Sequence, residues 1–276
     1  MTPDLSFHQW THVDGGCAPP TLTPRASGAL DRECRADIIR FARERLDFHP
    51  DPIQERALLG GDRVMLCCSR QWGKSTVTAI RALHSAYYDP RALVLIASPS
   101  LRQSKLLLRV IRRLAARLGL HRLPGDGDNP SSLRFPRGGC IIGLPGKPDT
   151  IVGFSGVSML IFDEAARVSD ELFESLNPVL AVSGGELWAI STPKGKRGFF
   201  YRIWSRNPGD EWLRIEAPAT SCSRIPKDFL ERQRRDLPDR KFRQEYLCEF
   251  LEPEGAVFSA AMLANLLTDD VLPLEF

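Results

Sequence analysis

Cys67-Cys68-Ser69-Arg70-Gln71-Trp72-Gly73-Lys74-Ser75-Thr76 decides how the rest of this chain is read. It follows the apolar run RVMLCC (63–68), which has the length and bounds of a buried strand, and it opens a helical pattern from Gly73 to about Tyr87. A strand that turns directly into a helix offers backbone N–H groups and the positive end of the helix dipole, and both hold phosphate. Gly73 lets the backbone come close to the ligand. Lys74 reaches the β- and γ-phosphates, Ser75 sets its hydroxyl on Mg²⁺, and Thr76 adds a contact to the α-phosphate. The stretch reads as a phosphate-binding P-loop, with Cys68 standing where the strict pattern has glycine.

Outward from this loop the strand-helix rhythm continues. ALVLIAS (92–98), CIIGLP (140–145), SMLIFD (158–163), ELWAIS (186–191) and WLRIEA (212–217) are short apolar runs separated by helical patterns, one of them near 170–181. Continuous apolar strands alternating with helices predict an α/β fold, a mostly parallel sheet covered on both faces. In such sheets ligands bind at the carboxyl ends of the strands. SMLIFD delivers Asp163 and Glu164 there, a carboxylate for the Mg²⁺ shell and a base to activate water. After ELWAIS, Ser191 and Thr192 bring small hydroxyls to the same edge, near the γ-phosphate. The loop and the acidic pair together suit ATP with Mg²⁺, and Gln54, in HPDPIQERAL upstream of the first strand, has an amide suited to an adenine edge, though by itself a glutamine there is by default a surface residue.

Composition narrows the remaining classes. With 276 residues, 43% hydrophobic and 26% charged, the chain has material for one large core. No apolar run approaches the roughly 20 residues that span a bilayer, and the first residues lack the layout of a secretory signal, so a cytoplasmic place is expected. Seven scattered cysteines form no C-x-x-C pair, which argues against disulfides and structural zinc. The net charge of +3 is small, but its distribution is uneven. Arg102, Lys105, Arg109, Arg112, Arg113, Arg117 and Arg122 occur without an acidic residue between them. Leu106, Leu107, Val110, Ile111, Leu114 and Leu118 interleave at helical spacing, predicting one buried stripe and one basic face, either simply solvated or tracking DNA.

The domain reading follows from the same patterns. Residues 1–30, rich in Pro, Thr and Gly, read as a flexible arm; 31–217 as the P-loop core; 218–252, charged and helical, as a small lid; 253–276 as a linker.

Four segments in order, SRQWGKST, PDTIVGFSGVSMLIFDEAARV, AISTPKGKRGFFY and FRQEYLCEF, resemble the large terminase family of tailed phages and prophages over most of residues 45–255. The resemblance implies an ASCE-type, RecA-like ATPase core that drives double-stranded DNA into a procapsid. It assigns catalytic roles to Glu164, Lys74 and Arg70, the last shifting between phosphate and acidic partners. It also implies nucleotide contacts from Gln54 and from the loop, and coupling through Ser191-Thr192-Pro193. Portal protein, small terminase subunit and a homo-oligomeric ring are the implied partners. Two departures stand out. Val152 occupies the place of an arginine that such proteins supply to a neighbouring subunit; Arg167, Lys194 and Arg197 are the nearby substitutes. The family also continues into a metal-dependent nuclease, and no residues here, Asp269 and Asp270 included, make that cluster.

Alternatives use the same loop. A two-domain helicase needs more chain than follows Pro193, and a small-molecule kinase has no use for a water-activating Asp-Glu pair. A nucleotide-binding relic that does not turn over would share the fold.

Overall fold

In the computed structural model, which describes residues 24–125, 131–147, 153–206 and 211–252, strand alternation explains the layering. On β1 (Arg63–Cys68), Val64, Leu66 and Cys68 join one apolar cluster, while Met65 and Cys67 join the other. β5 (Met159–Asp163) and β6 (Glu186–Ser191) divide in the same way, so both faces of the sheet are buried and the strands are apolar throughout.

Seven described strands run in the order β3-β4-β2-β5-β6-β1-β7, where β2 is Leu93–Ala97, β3 Ser132–Arg134, β4 Cys140–Gly143 and β7 Leu213–Ala217. All neighbours are parallel except β3 with β4. β6 thus separates the strand that enters the loop from the strand that ends in Asp163. The sequence reading missed β3, a three-residue edge strand too short to show a period.

On one face lie α4 (Lys74–Tyr88) and α5 (Leu101–Arg117), together with the N-terminal helices α1 (Pro24–Ala36), α2 (Ile38–Arg40) and α3 (Pro52–Leu58). α2 continues as a π-helical turn, Phe41–Arg45. On the other face lie α6 (Asp170–Leu176) and α7 (Gly198–Trp204), whose Phe173 and Phe199 rings stack at 4.1 Å. Two expectations are corrected. α1 begins at Pro24, inside the segment read as a loose arm, and residues 1–23 lie outside the described residues. On α5, Leu106 is 48% exposed and Leu108 takes its place in the core, because the buried stripe is centred on Leu107, Leu108, Ile111 and Leu114.

The charged segment read as a lid contains α8 (Lys227–Asp236) and α9 (Asp239–Tyr246). No side chain of α8 is buried, whereas Phe242 and Tyr246 of α9 join the main core. Cys248, just past the end of α9, is held in a left-handed conformation and accepts a hydrogen bond from the Cys67 thiol through its carbonyl. The 253–276 stretch read as a linker lies outside the described residues. No helix among the described residues is long and apolar enough to cross a membrane.

Candidate active site

The loop after β1 turns twice through left-handed backbone, at Gln71 (φ 64°) and at Gly73 (φ 102°), before α4 starts at Lys74. The second turn requires glycine on two counts. L-residues avoid that φ, and a Cβ on Gly73 would stand 3.1 Å from the Gln54 amide nitrogen. Ser75 and Thr76 fall in the first turn of α4, where the Thr76 N–H donates to the Gly73 carbonyl (3.0 Å).

Sequence reading assigned Gln54 an adenine edge; the fold buries it to 1% exposure with both ends of its amide engaged inside the chain. Its Nε2 donates to the Trp72 carbonyl (3.1 Å), and its Oε1 accepts from the Asp51 N–H (3.1 Å) while Asp51 caps the Gln54 N–H. Arg224, which sequence reading missed, donates to the same Trp72 carbonyl (2.6 Å) and pairs with Asp51 (3.1 Å). Asp51-Pro52-Ile53-Gln54 is a capping box, a signal that was legible; Arg224 carried none.

At the carboxyl edge the residues named from sequence come together. Asp163 ends β5 opposite Ile190, and Ser191 of β6 lies opposite Cys67 of β1, so the acidic pair, the hydroxyls and the loop meet on three adjacent strands. Lys74 Nζ stands 3.1 Å from Glu164 Oε1, and Arg167 Nη1 stands 2.9 Å from Glu164 Oε2. Arg167 Nη1 also donates to Thr192 Oγ1 (3.2 Å). Glu164 is held in left-handed backbone (φ 54°), which turns its carboxylate back toward the loop.

Asp163 is 8% exposed, and burial pushes its carboxyl up to about 6, against the lowering influence of Lys74 and with a further push from Glu164. A buried carboxylate with so raised a proton affinity is a place for a cation. The hydroxyls of Ser69 and Ser191 are buried without a hydrogen-bond partner among the described residues. Buried polar groups are normally satisfied, and these two, beside the loop and at the end of β6, fit a ligand that brings acceptors. The donor set therefore suits Mg²⁺ and a triphosphate. Burial raises the thiols of Cys67 and Cys68 well above their usual range, which makes them packing residues.

Arg70 is turned away from the loop. Its Nε and Nη2 meet Glu245 of α9 at 2.5 and 3.2 Å, and its backbone N–H donates to the Glu245 carbonyl (3.0 Å). Of the three substitute cations, Arg167 reaches Glu164, whereas Lys194 and Arg197 line a cleft of about 430 Å³ with Arg240, Lys241 and Gln244. Val152 lies outside the described residues.

A strand interposed between the loop strand and the Asp-Glu strand, with a lysine and a carboxylate facing each other across it, defines a P-loop NTPase fold. The family model described as terminase large subunit, T4likevirus-type, N-terminal, matches residues 65–265, and the chain belongs to that family. A terminase large subunit of Thermus phage G20c is 25% identical over 241 residues, covering 74% of this chain and 49% of its own; the chain thus spans about half the length of the curated relatives it matches. Among solved structures, the Thermus phage P74-26 large terminase ATPase domain is similar with a TM-score of 0.63 at 23% identity, over 76% of this chain and 97% of that one. A large terminase from another thermophilic bacteriophage, in complex with ADP, is similar with a TM-score of 0.58 at 14% identity, over 79% and 52%.

Proposed function

We propose that this chain carries the ATP-hydrolysing motor of a terminase large subunit, coupling hydrolysis to movement of double-stranded DNA into a procapsid. The observation that carries the reading is the pairing of Lys74 with Glu164 across the ends of β1, β6 and β5, because it joins a phosphate-binding cation to a water-activating carboxylate. Two similar proteins support it, the P74-26 domain described as an ATPase and the thermophilic phage terminase bound to ADP.

Bound Mg²⁺·ATP supplies the γ-phosphoryl group and the divalent charge. Ser75 and Asp163 would hold the metal, whose positive charge would offset the burial that raises the Asp163 carboxyl and so keep it ionised. Lys74 and the first N–H groups of α4 bind phosphate, Gln54 positions the loop through the Trp72 carbonyl, and Ser191 satisfies its buried hydroxyl on the ligand. Glu164 then orients water and takes its proton. Thr192 passes loss of phosphate toward the lid, and Arg70 exchanges Glu245 for phosphate. DNA is contacted through its phosphates, for which Arg102, Lys105, Arg109 and Arg113 of α5 form a stripe. Portal, small subunit and sister copies complete the motor.

The testing measurement is steady-state ATP turnover, with and without DNA, beside nucleotide binding for wild type, Glu164→Ala and Val152→Arg. Turnover lost in Glu164→Ala while binding persists is the expected result, with a gain in Val152→Arg. Val152 favours one other reading, a subunit that binds ATP without hydrolysing it. Binding without turnover in the wild type at every protein and DNA concentration would decide for that reading.

A further inference from the structure

The two oxygens of Glu164 are held by different cations. Lys74 takes Oε1 at 3.1 Å and Arg167 takes Oε2 at 2.9 Å. An i,i+3 ion pair is ordinarily a minor surface contact. This one differs in two respects. Both side chains are largely covered, with 24% and 21% exposure, and the Arg167 nitrogen that meets Glu164 is anchored a second time, on Thr192 Oγ1 at the end of the neighbouring strand. A simple cap of the turn Ala165–Arg167 would have no need of that second anchor.

The charge balance gives the arrangement its purpose. Asp163 and Glu164 bring two carboxylates to one strand end, and Lys74 and Arg167 bring two cations. A triphosphate adds several negative charges and recruits Lys74, whose place in the loop directs it to phosphate. Glu164 would then face the nucleotide uncompensated unless a second cation stayed with it.

We propose that Arg167 is the standing counter-ion of Glu164, a positioning residue that keeps this carboxylate compensated so that Lys74 is free to leave for the phosphates. Thr192 fixes the guanidinium from behind. When Lys74 departs, Oε2 stays held and Oε1 is the oxygen left facing water. The inference rests on the ATPase reading for the destination of Lys74.

The test is a cycle of dissociation constants for Mg²⁺·ATP, measured by calorimetry on wild type, Arg167→Ala, Glu164→Gln and the double variant, with Arg167→Lys as the conservative control. Arg167→Ala is expected to weaken binding on the order of tenfold. In the Glu164→Gln background, where there is no charge to compensate, the same change is expected to cost no more than about threefold. Arg167→Lys restores affinity. An equal loss in both backgrounds, or no loss in either, overturns the proposal and leaves a cap. Should Arg167→Ala fail to fold by circular dichroism, Arg167→Gln takes its place in the cycle. A wild type that binds ATP and never hydrolyses it defeats the ATPase reading alone, since the cycle reads binding.

Discussion

Arg70 and Glu245, 175 residues apart, are joined three times: twice through side chains, at 2.5 and 3.2 Å, and once through the backbone. The arginine of the phosphate loop is thereby tied to the helix that packs the charged C-terminal segment onto the core. Arg70 is 58% exposed and Glu245 only 7%, so the carboxylate is the fixed end and the arginine the end able to swing. Glu245→Gln should lower stability by about 1 kcal/mol, a value reduced for the solvent around Arg70. It should also tighten nucleotide binding by releasing Arg70. Thermal unfolding with and without ATP checks both, and the deficit should shrink when nucleotide is saturating.

On the proposed function, Glu164→Ala removes the water-activating carboxylate and leaves the phosphate cradle. Turnover should fall by about 10²- to 10⁴-fold, the range of a positioned general base. ATP affinity should be retained or improved, since Lys74 loses the partner that holds it at 3.1 Å. Single-turnover kinetics with a binding titration separates the two effects, and weaker binding would contradict the pairing.

Asp163 gives a pH signature in the nucleotide-free protein. Its carboxyl is raised to about 6 from an ordinary 3.8 by burial, so between those values the folded state binds more protons than the unfolded. Stability therefore falls as pH rises through this window, and the cost is in full force above it. Asp163→Asn should accordingly raise the melting temperature at pH 7.5, and the gain should dwindle as pH is lowered toward 5. On the proposed function, turnover should be lost at every pH, because Asp163 is the carboxylate proposed to hold the metal.

Gly73→Ala meets both a left-handed φ of 102° and the Gln54 amide at 3.1 Å. The backbone alone should cost roughly 1–2 kcal/mol, and displacing Gln54 disturbs its bond to the Trp72 carbonyl. Chemical denaturation should show the loss, and ATP binding should fall with it. Gly61→Ala is the control, since a Cβ there meets nothing within 4 Å.

Much of this architecture was open to reading from local pattern. Six of the seven described strands announce themselves as apolar runs, and the residues at their carboxyl ends follow from the chain direction. Lys74, Ser75, Asp163, Glu164, Ser191 and Thr192 were legible because each sits close to a strand end in sequence as well as in space. β3 was not, being three residues long at the sheet edge, nor was the helical start at Pro24 within a segment whose composition suggested a loose arm. Leu106 was misplaced because a stripe shifted by one residue looks equally good in the pattern.

Local sequence was enough to establish a parallel α/β chain with a phosphate loop and an acidic pair at strand ends, since periodicity and contiguous motifs are properties of neighbours along the chain. Only folding settled which charges meet: Arg70 with Glu245, Arg224 with the Trp72 carbonyl, and Arg167 with both Glu164 and Thr192. Arg167 and Glu164 are three residues apart, but the other partners lie 25 to 175 residues apart and find one another only when the fold brings them together. Their separation leaves no local trace, because ion-pair energies depend on distance and burial, and neither is written in the spacing of residues along a chain.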